Sequence, residues 1–210
     1  MDLGIAGKWA LVCGASKGLG LGCAQALVRE GVNVLIVARG AEALQRAATH
    51  LIADCAHDLG ANVQYVAADI TTIEGRAAVF AVRQDFDIVV TNAGGPPPGD
   101  FRNWERDAWI KAIDANMLTP IELIKATVDG NLLPGAFETD RLKTTMKGAA
   151  EKSGQSMDAV MDARRKTIPA QRFGTPAEFG AICAFLCSTH AGYMTGQNVL
   201  ADGGAYSGTF

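Results

Sequence analysis

The stretch Val12-Cys13-Gly14-Ala15-Ser16-Lys17-Gly18-Leu19-Gly20 decides the fold. Before it, Trp9 to Cys13 is apolar and reads as a strand. After it, Leu19, Cys23, Ala26 and Leu27 recur at helical spacing. Strand, glycine turn and helix in that order is the context in which a glycine motif signals a dinucleotide site. Free N–H groups at the helix start, aided by the helix dipole, hold a pyrophosphate. The first glycine permits the tight turn, a later one admits the cofactor closely, and the third lets the helix pack on the strand. A bare strand–helix turn with no ligand is the competing reading of the same residues.

The pattern repeats outward. Lys8–Cys13 is the first strand and Gly18–Glu30 the first helix, which Gly31 ends. Val32–Val37 is an almost continuous apolar run, as in a strand buried on both faces of a parallel sheet. Ala41 to Leu59 has helical spacing and stops at Gly60. Asn62–Ala67 is a third strand, Thr71–Val82 a third helix and Asp87–Val90 a fourth strand. The alternation predicts an α/β fold with a Rossmann-type, doubly wound parallel sheet in one domain spanning 1–210. A long helix runs from about Glu105 to Val128, after the glycine- and proline-rich loop 94–99. Phe137–Ala149, Met157–Arg165 and Ala177–Ser188 read as helices and Gln197–Ala201 as the last strand.

Composition sets bounds. The chain has 210 residues, 49% hydrophobic, with 24 glycines and a formal charge of −3. That length allows a substantial core. No basic block or basic–aromatic stripe points to nucleic acid. No apolar run reaches the roughly 18 residues that span a bilayer. Met1 to Ala10 lacks the basic start and apolar core of a signal peptide, so a cytoplasmic location is expected. The cysteines at 13, 23, 55, 183 and 187 form no C-x-x-C pair, and packing is their expected role, with no metal site. The histidines at 50, 57 and 190 show no ligand pattern and read as surface or helix-end residues.

Chemistry-bearing residues gather at the carboxyl ends of the strands, where open α/β sheets bind ligands. The second strand ends at Ala38-Arg39, where an NAD site would carry an acid. With Lys17 in the glycine turn, Arg39 favours a 2′-phosphate, hence NADP(H); simple solvation of both is the competing reading, and Glu42 stands close by. Asp69, before Ile70, can accept from an adenine amino group, or can cap the next helix, for which Thr71 is an equal candidate. Thr91-Asn92-Ala93-Gly94 ends the fourth strand with small residues, and Asn92 can brace neighbouring strands.

Gly14-Ala15-Ser16-Lys17-Gly18-Leu19-Gly20, Asp69-Ile70, Asn92-Ala93-Gly94, Asn116 and Pro134-Gly135 with Thr139 together resemble the landmarks of the short-chain dehydrogenase/reductase family. Arg172-Phe173-Gly174-Thr175-Pro176-Ala177-Glu178, Thr195-Gly196-Gln197 and Asp202-Gly203-Gly204 resemble its 3-oxoacyl-[acyl-carrier-protein] reductase-like branch. The resemblance covers nearly the whole chain. It implies a seven-stranded Rossmann sheet, hydride transfer between NADP(H) and a small-molecule carbonyl or alcohol, and a homodimer or homotetramer. It also implies that Asn116 holds a water of a proton relay, that Thr139 contacts the nicotinamide amide, and that a helical lid over about 137–168 covers the substrate. Met146, Met157 and Met161 then line that lid's inner wall or simply pack the lid on itself. Thr91 stands where the family more often has Asn.

One part of the family pattern is missing. Its chemistry uses a Ser, and a Tyr followed four residues later by Lys. The three tyrosines here, Tyr65, Tyr193 and Tyr206, are followed at that distance by Asp69, Gln197 and Phe210. Only 17 residues, Met117 to Leu133, separate Asn116 from Pro134. A strand–helix–strand unit needs roughly 30 or more. A segment absent near Gly130–Asn131 is the expected explanation; a true deletion and a different fold are the rivals. A non-catalytic NADP(H)-binding sensor or scaffold is the alternative function.

Overall fold

A computed structural model of the chain describes residues 2–55, 59–93, 101–126, 131–134, 136–194 and 198–206. The first half is built as its hydrophobic pattern dictates. β1 (Trp9–Cys13), β2 (Asn33–Ala38), β3 (Val63–Ala67) and β4 (Ile88–Val90) form a parallel sheet in the order β3-β2-β1-β4. The register pairs Leu11 with Leu35 and with Val89, which brings the strand ends to one edge. β1 and β2 are central and covered on both faces, so Leu11, Val12, Leu35 and Ile36 are fully buried.

Helices α1 (Gly18–Arg29), α2 (Ala41–Cys55) and α3 (Ile73–Val82) connect these strands. One core lies between the sheet and α1 and α2, with Val12, Leu27, Ile36, Leu44 and Leu51. The other face packs Leu11, Leu35, Val79 and Leu123 together. The chain continues through α4 (Arg106–Ile113), a π turn (Asp114–Leu118), α5 (Thr119–Ala126) and β5 (Asn131–Pro134). Then follow α6 (Asp140–Ser153), α7 (Met157–Lys166), α8 (Pro176–Leu186) and β6 (Asn198–Ala201). α8 crosses α1 at Gly22 and Gly180, where a side chain on either glycine would run into the facing backbone.

Several expectations are corrected. The helix expected from Glu105 runs without interruption over 106–126 but widens to a π turn at 114–118, where the Thr119 N–H donates to the Asp114 carbonyl in a five-residue step. Pro120 supplies the reason, since its ring crowds the carbonyl four residues back and it has no N–H to give. The helix expected from Phe137 starts at Asp140 behind the cap Thr139; Phe137 instead bridges to Gly174 and packs on Phe179, with ring centroids 5.2 Å apart. Thr72, rather than Asp69 or Thr71, caps α3 by accepting from the Gly75 N–H at 3.0 Å.

The largest difference concerns the sheet. In place of seven strands in one sheet, the described residues give four strands and a separate parallel pair, β5 with β6. β4 is paired on one edge alone, to β1, among the described strands. The outer face of α4–α5 carries Trp109, Ile110, Ile113, Met117, Ile121 and Ile124, all exposed, while Ala115, Thr119 and Leu123 are buried on the opposite face. A helix apolar on both faces is built to be covered on both. No helix among the described residues is long and apolar enough to cross a membrane.

Candidate functional site

The glycine turn joins the carboxyl end of β1 to the first turn of α1. Gly14 and Gly18 both have φ of +63°, a backbone conformation that favours glycine. The Ala15 N–H donates to the Val37 carbonyl at 3.2 Å and ties the turn to β2. A Cβ on Gly20 would sit 2.5 Å from the Gly14 carbonyl oxygen and 2.9 Å from Asn92 Nδ2. The third glycine therefore closes the helix onto the turn. α1 begins with Lys17 at its N-cap, extended and without a side-chain cap bond, and no acid stands in its first turn. The first N–H groups of the helix are left to a ligand, and an anion is the ligand they suit.

Asn92 follows β4 and reaches the same turn, donating from Nδ2 to the Gly14 carbonyl at 3.4 Å. This is the bracing expected of it. Its backbone N–H also bonds the Cys13 thiol, but burial dominates there and pushes that thiol up to about 12. Cys13 is thus a packing residue. Cys23, Cys183 and Cys187 meet between α1 and α8, and contacts among the three together with burial raise Cys183 and Cys187 above the ordinary thiol range. The four cysteines whose side chains are described, Cys13, Cys23, Cys183 and Cys187, are free. Among the described residues no His, Cys, Asp and Glu group could hold a metal.

Asp69 sits at the carboxyl end of β3 with Ile70 buried behind it. It accepts from the Thr71 hydroxyl at 2.8 Å and from the Thr71 N–H at 3.1 Å. Burial raises its carboxyl, yet those two bonds and the charge of Arg39 outweigh burial and hold it below the ordinary carboxylate value. Arg39 at the end of β2 is thus near enough to Asp69 beyond β3 for its charge to be felt there. Glu42 turns away along α2 and lies 3.9 Å from Arg46. Lys17 has a partner that sequence reasoning missed: its ammonium is 3.2 Å from Asp140. Asp140's place directly after Thr139, in the first turn of a capped helix, was the available signal.

Thr139 accepts from the Leu142 N–H at 3.4 Å, and a Cβ on Gly18 would lie 3.8 Å from its methyl. The start of α6 and the start of α1 thus converge. Ser16 is half-buried and Leu19 partly buried in the turn between them. Asn116 lies in the π turn, exposed, with Nδ2 donating to the Ala112 carbonyl at 2.9 Å. Met146, Met157 and Met161 pack with Ile168 and Phe173 in a small core of their own. His50 and His190 are exposed, as read from sequence. Gly94, Gly135, loop 94–99, His57, Thr195-Gly196-Gln197 and the start of the expected break at Gly130 lie outside the described residues; for Pro134 the backbone alone is described. Of the expected cofactor residues, Gly14, Ser16, Lys17, Gly18, Leu19, Gly20, Arg39, Asp69, Ile70, Asn92, Ala93 and Thr139 lie at or just beyond the carboxyl edge of the strands.

Known proteins fit this geometry. The family model for short chain dehydrogenases matches residues 8–143, and that for enoyl-(acyl carrier protein) reductase matches 141–206. The chain is 26% identical to a 3-oxoacyl-[acyl-carrier-protein] reductase of Vibrio cholerae, with 97% of this chain and 99% of that one covered. It is 25% identical to an NADPH-dependent reductase of Bacillus subtilis, with 94% and 97% covered. The L-sorbose reductase of Gluconobacter frateurii, solved with NADPH and L-sorbose, superposes with a TM-score of 0.90 at 24% identity over 100% of both chains. The alignment with the Vibrio cholerae protein runs over 261 positions, although this chain has 210 residues. That relative carries residues with no counterpart here.

Proposed function

The chain belongs to the short chain dehydrogenase family, and on that premise we propose that it is an NADP(H)-dependent oxidoreductase that interconverts a carbonyl, a ketone or 3-oxoacyl group, and an alcohol. The observation that carries the reading is the uncapped start of α1 behind a turn whose Gly14 and Gly20 have no room for a side chain, set beside Asn92, Asp69 and Arg39 on one sheet edge. The residues present suit a phosphorylated dinucleotide. The N–H groups of Gly18, Leu19 and Gly20, with Ser16, hold the pyrophosphate. Arg39 holds the 2′-phosphate and Asp69 the adenine amino group. Ala93, Gly94, Pro134, Gly135 and Thr139 border the nicotinamide half, and Ile70 packs behind the adenine. NADPH, when bound, supplies the hydride.

Asn116 positions a water of the proton relay from the π turn. The proton itself needs a Ser and a Tyr–Lys pair, which these 210 residues do not contain. We assign them to a strand–helix segment between Gly130 and Asn131 of the encoded protein. Three observations support this: the alignment longer than the chain, the strands divided between two sheets, and the uncovered apolar face of α4–α5. The domain then spans 1–210 with this segment inserted and a lid over about 137–168. The exposed Tyr193, Met194 and Tyr206 near the C-terminus fit a subunit contact of a homodimer or homotetramer. The free thiols suit the cytoplasm.

The test joins two measurements on the natural gene product. Its intact mass should exceed 22.0 kDa by several kDa, and it should oxidise NADPH with a ketone or a 3-oxoacyl thioester. A mass of 22.0 kDa with cofactor binding and no turnover would replace this reading by a non-catalytic NADP(H)-binding sensor or scaffold.

A further inference from the structure

The loop that carries Asp69 is held by a cation with no part in the site so far. Arg76, half-buried in the first turn of α3, donates from Nη1 to the Thr71 carbonyl at 2.9 Å and to the Ile70 carbonyl at 3.2 Å. The Ile70 carbonyl and the Thr71 N–H belong to one peptide group, planar and trans. That N–H donates to Asp69 Oδ1 at 3.1 Å, and the Thr71 hydroxyl donates to the same oxygen at 2.8 Å. One peptide is therefore gripped at both ends, by a guanidinium at its oxygen and by a carboxylate at its N–H. A cation on the oxygen also polarises the N–H and strengthens its bond to Oδ1. Neither Thr71 bond uses Oδ2. The rest of the turn is as closely tied. The Thr72 hydroxyl donates to the Asp69 carbonyl at 3.0 Å, and Gly75 packs on that carbonyl with no room for a side chain.

Resting on the cofactor reading above, we propose that Arg76 is a positioning residue for base recognition: it fixes the Ile70–Thr71 peptide, Thr71 in turn holds Asp69 by Oδ1, and Oδ2 is left to accept from the 6-amino group of the cofactor's adenine. An ionised carboxylate accepts hydrogen bonds and donates none. It pairs with the amino group of adenine and repels the carbonyl oxygen that a 6-oxopurine carries at the same place. The clamp therefore sets which base the chain selects, apart from the pyrophosphate at the start of α1. Arg76 touches neither base nor phosphate in this scheme and acts through Thr71 and Asp69. Without its donors the peptide is free to turn, and the carboxylate turns with it.

Calorimetric titration of the purified chain with NADPH and with its hypoxanthine counterpart, in which a carbonyl replaces the 6-amino group, tests this. The parent should prefer NADPH by about three- to tenfold, the worth of one hydrogen bond. Arg76→Met keeps an apolar stem and removes the donors, and should bring the two affinities together by weakening NADPH while the hypoxanthine nucleotide binds as before. Thr71→Val removes the hydroxyl bond to Oδ1 without touching Arg76 and should also lower the ratio. Asp69→Ala should abolish the preference and leave Arg76→Met nothing further to remove in the double variant. Each ratio compares two ligands on one protein, so a change in the folded fraction cancels from it. A parental ratio kept in Arg76→Met overturns the proposal, because Arg76 would then serve the start of α3 alone. Equal affinity of the parent for the two nucleotides also overturns it, because Asp69 would then not read the base. If the parent binds neither, the cofactor reading itself has failed and this proposal falls with it, a result distinct from the other two.

Discussion

Gly20 has no room for a methyl group. Its Cα lies against the Gly14 carbonyl and the Asn92 amide, both fixed by the strand ends. Gly20→Ala should therefore cost about 1–3 kcal/mol of stability by overpacking, measured by urea melts, and should lower cofactor affinity as the turn shifts. In the proposed function Arg39 distinguishes the two nicotinamide cofactors, so Arg39→Met should weaken NADPH several-fold and leave NADH nearly unchanged. Glu178 gives a pH dependence. The Arg172 guanidinium, the Thr175 N–H and the Thr175 hydroxyl hold its carboxyl down at about 2, against the usual 4.5. Between those values the unfolded chain binds the proton more readily than the folded one. The stabilisation is thus complete above about 4.5 and is lost as pH falls toward 2. Stability followed through acid titration should fall less steeply in Glu178→Gln over that window.

The elements show what local sequence can and cannot say. The capping box at Thr175 and Glu178 starts α8 with Pro176 in its first turn, the place that proline favours. Thr175→Ala should cost about 1 kcal/mol in thermal or chemical denaturation. The glycine turn was legible because its chemistry is local: strand, turn and helix are contiguous in the chain. The π turn at 114–118 was not read from the sequence, because the periodicity of apolar residues continues through it. The Lys17–Asp140 contact was illegible for another reason. Its partners are 123 residues apart, and only the convergence of α1 and α6 brings them together. The apolar outer face of α4–α5 belongs to the same class, since a helix pattern says which side is apolar but not what covers it. Ile113→Glu with Ile121→Glu should be tolerated by the 210-residue chain, where both are exposed. The same pair should destabilise a longer gene product that packs a helix on that face, and comparative melting of the two forms reads the difference.

At the scale of the molecule, a parallel sheet needs each strand covered and each inner edge paired. The first four strands satisfy this on their own side, and their order and register follow from apolar runs that alternate with helices. The count of residues between Asn116 and Pro134 already forbade a complete crossover. The structure shows the consequence as two sheets, and the longer alignment with relatives gives its counterpart in sequence. The cofactor half of the site is therefore readable from these residues, and the proton-donating half is not, because its side chains are absent from them. The account stands or falls on the cofactor. Titration of the purified chain with NADPH and with NADH, followed by cofactor fluorescence, tests it most directly. Saturable binding of both, several-fold tighter for NADPH, is the predicted result; no binding, or equal affinity for the two, would contradict it.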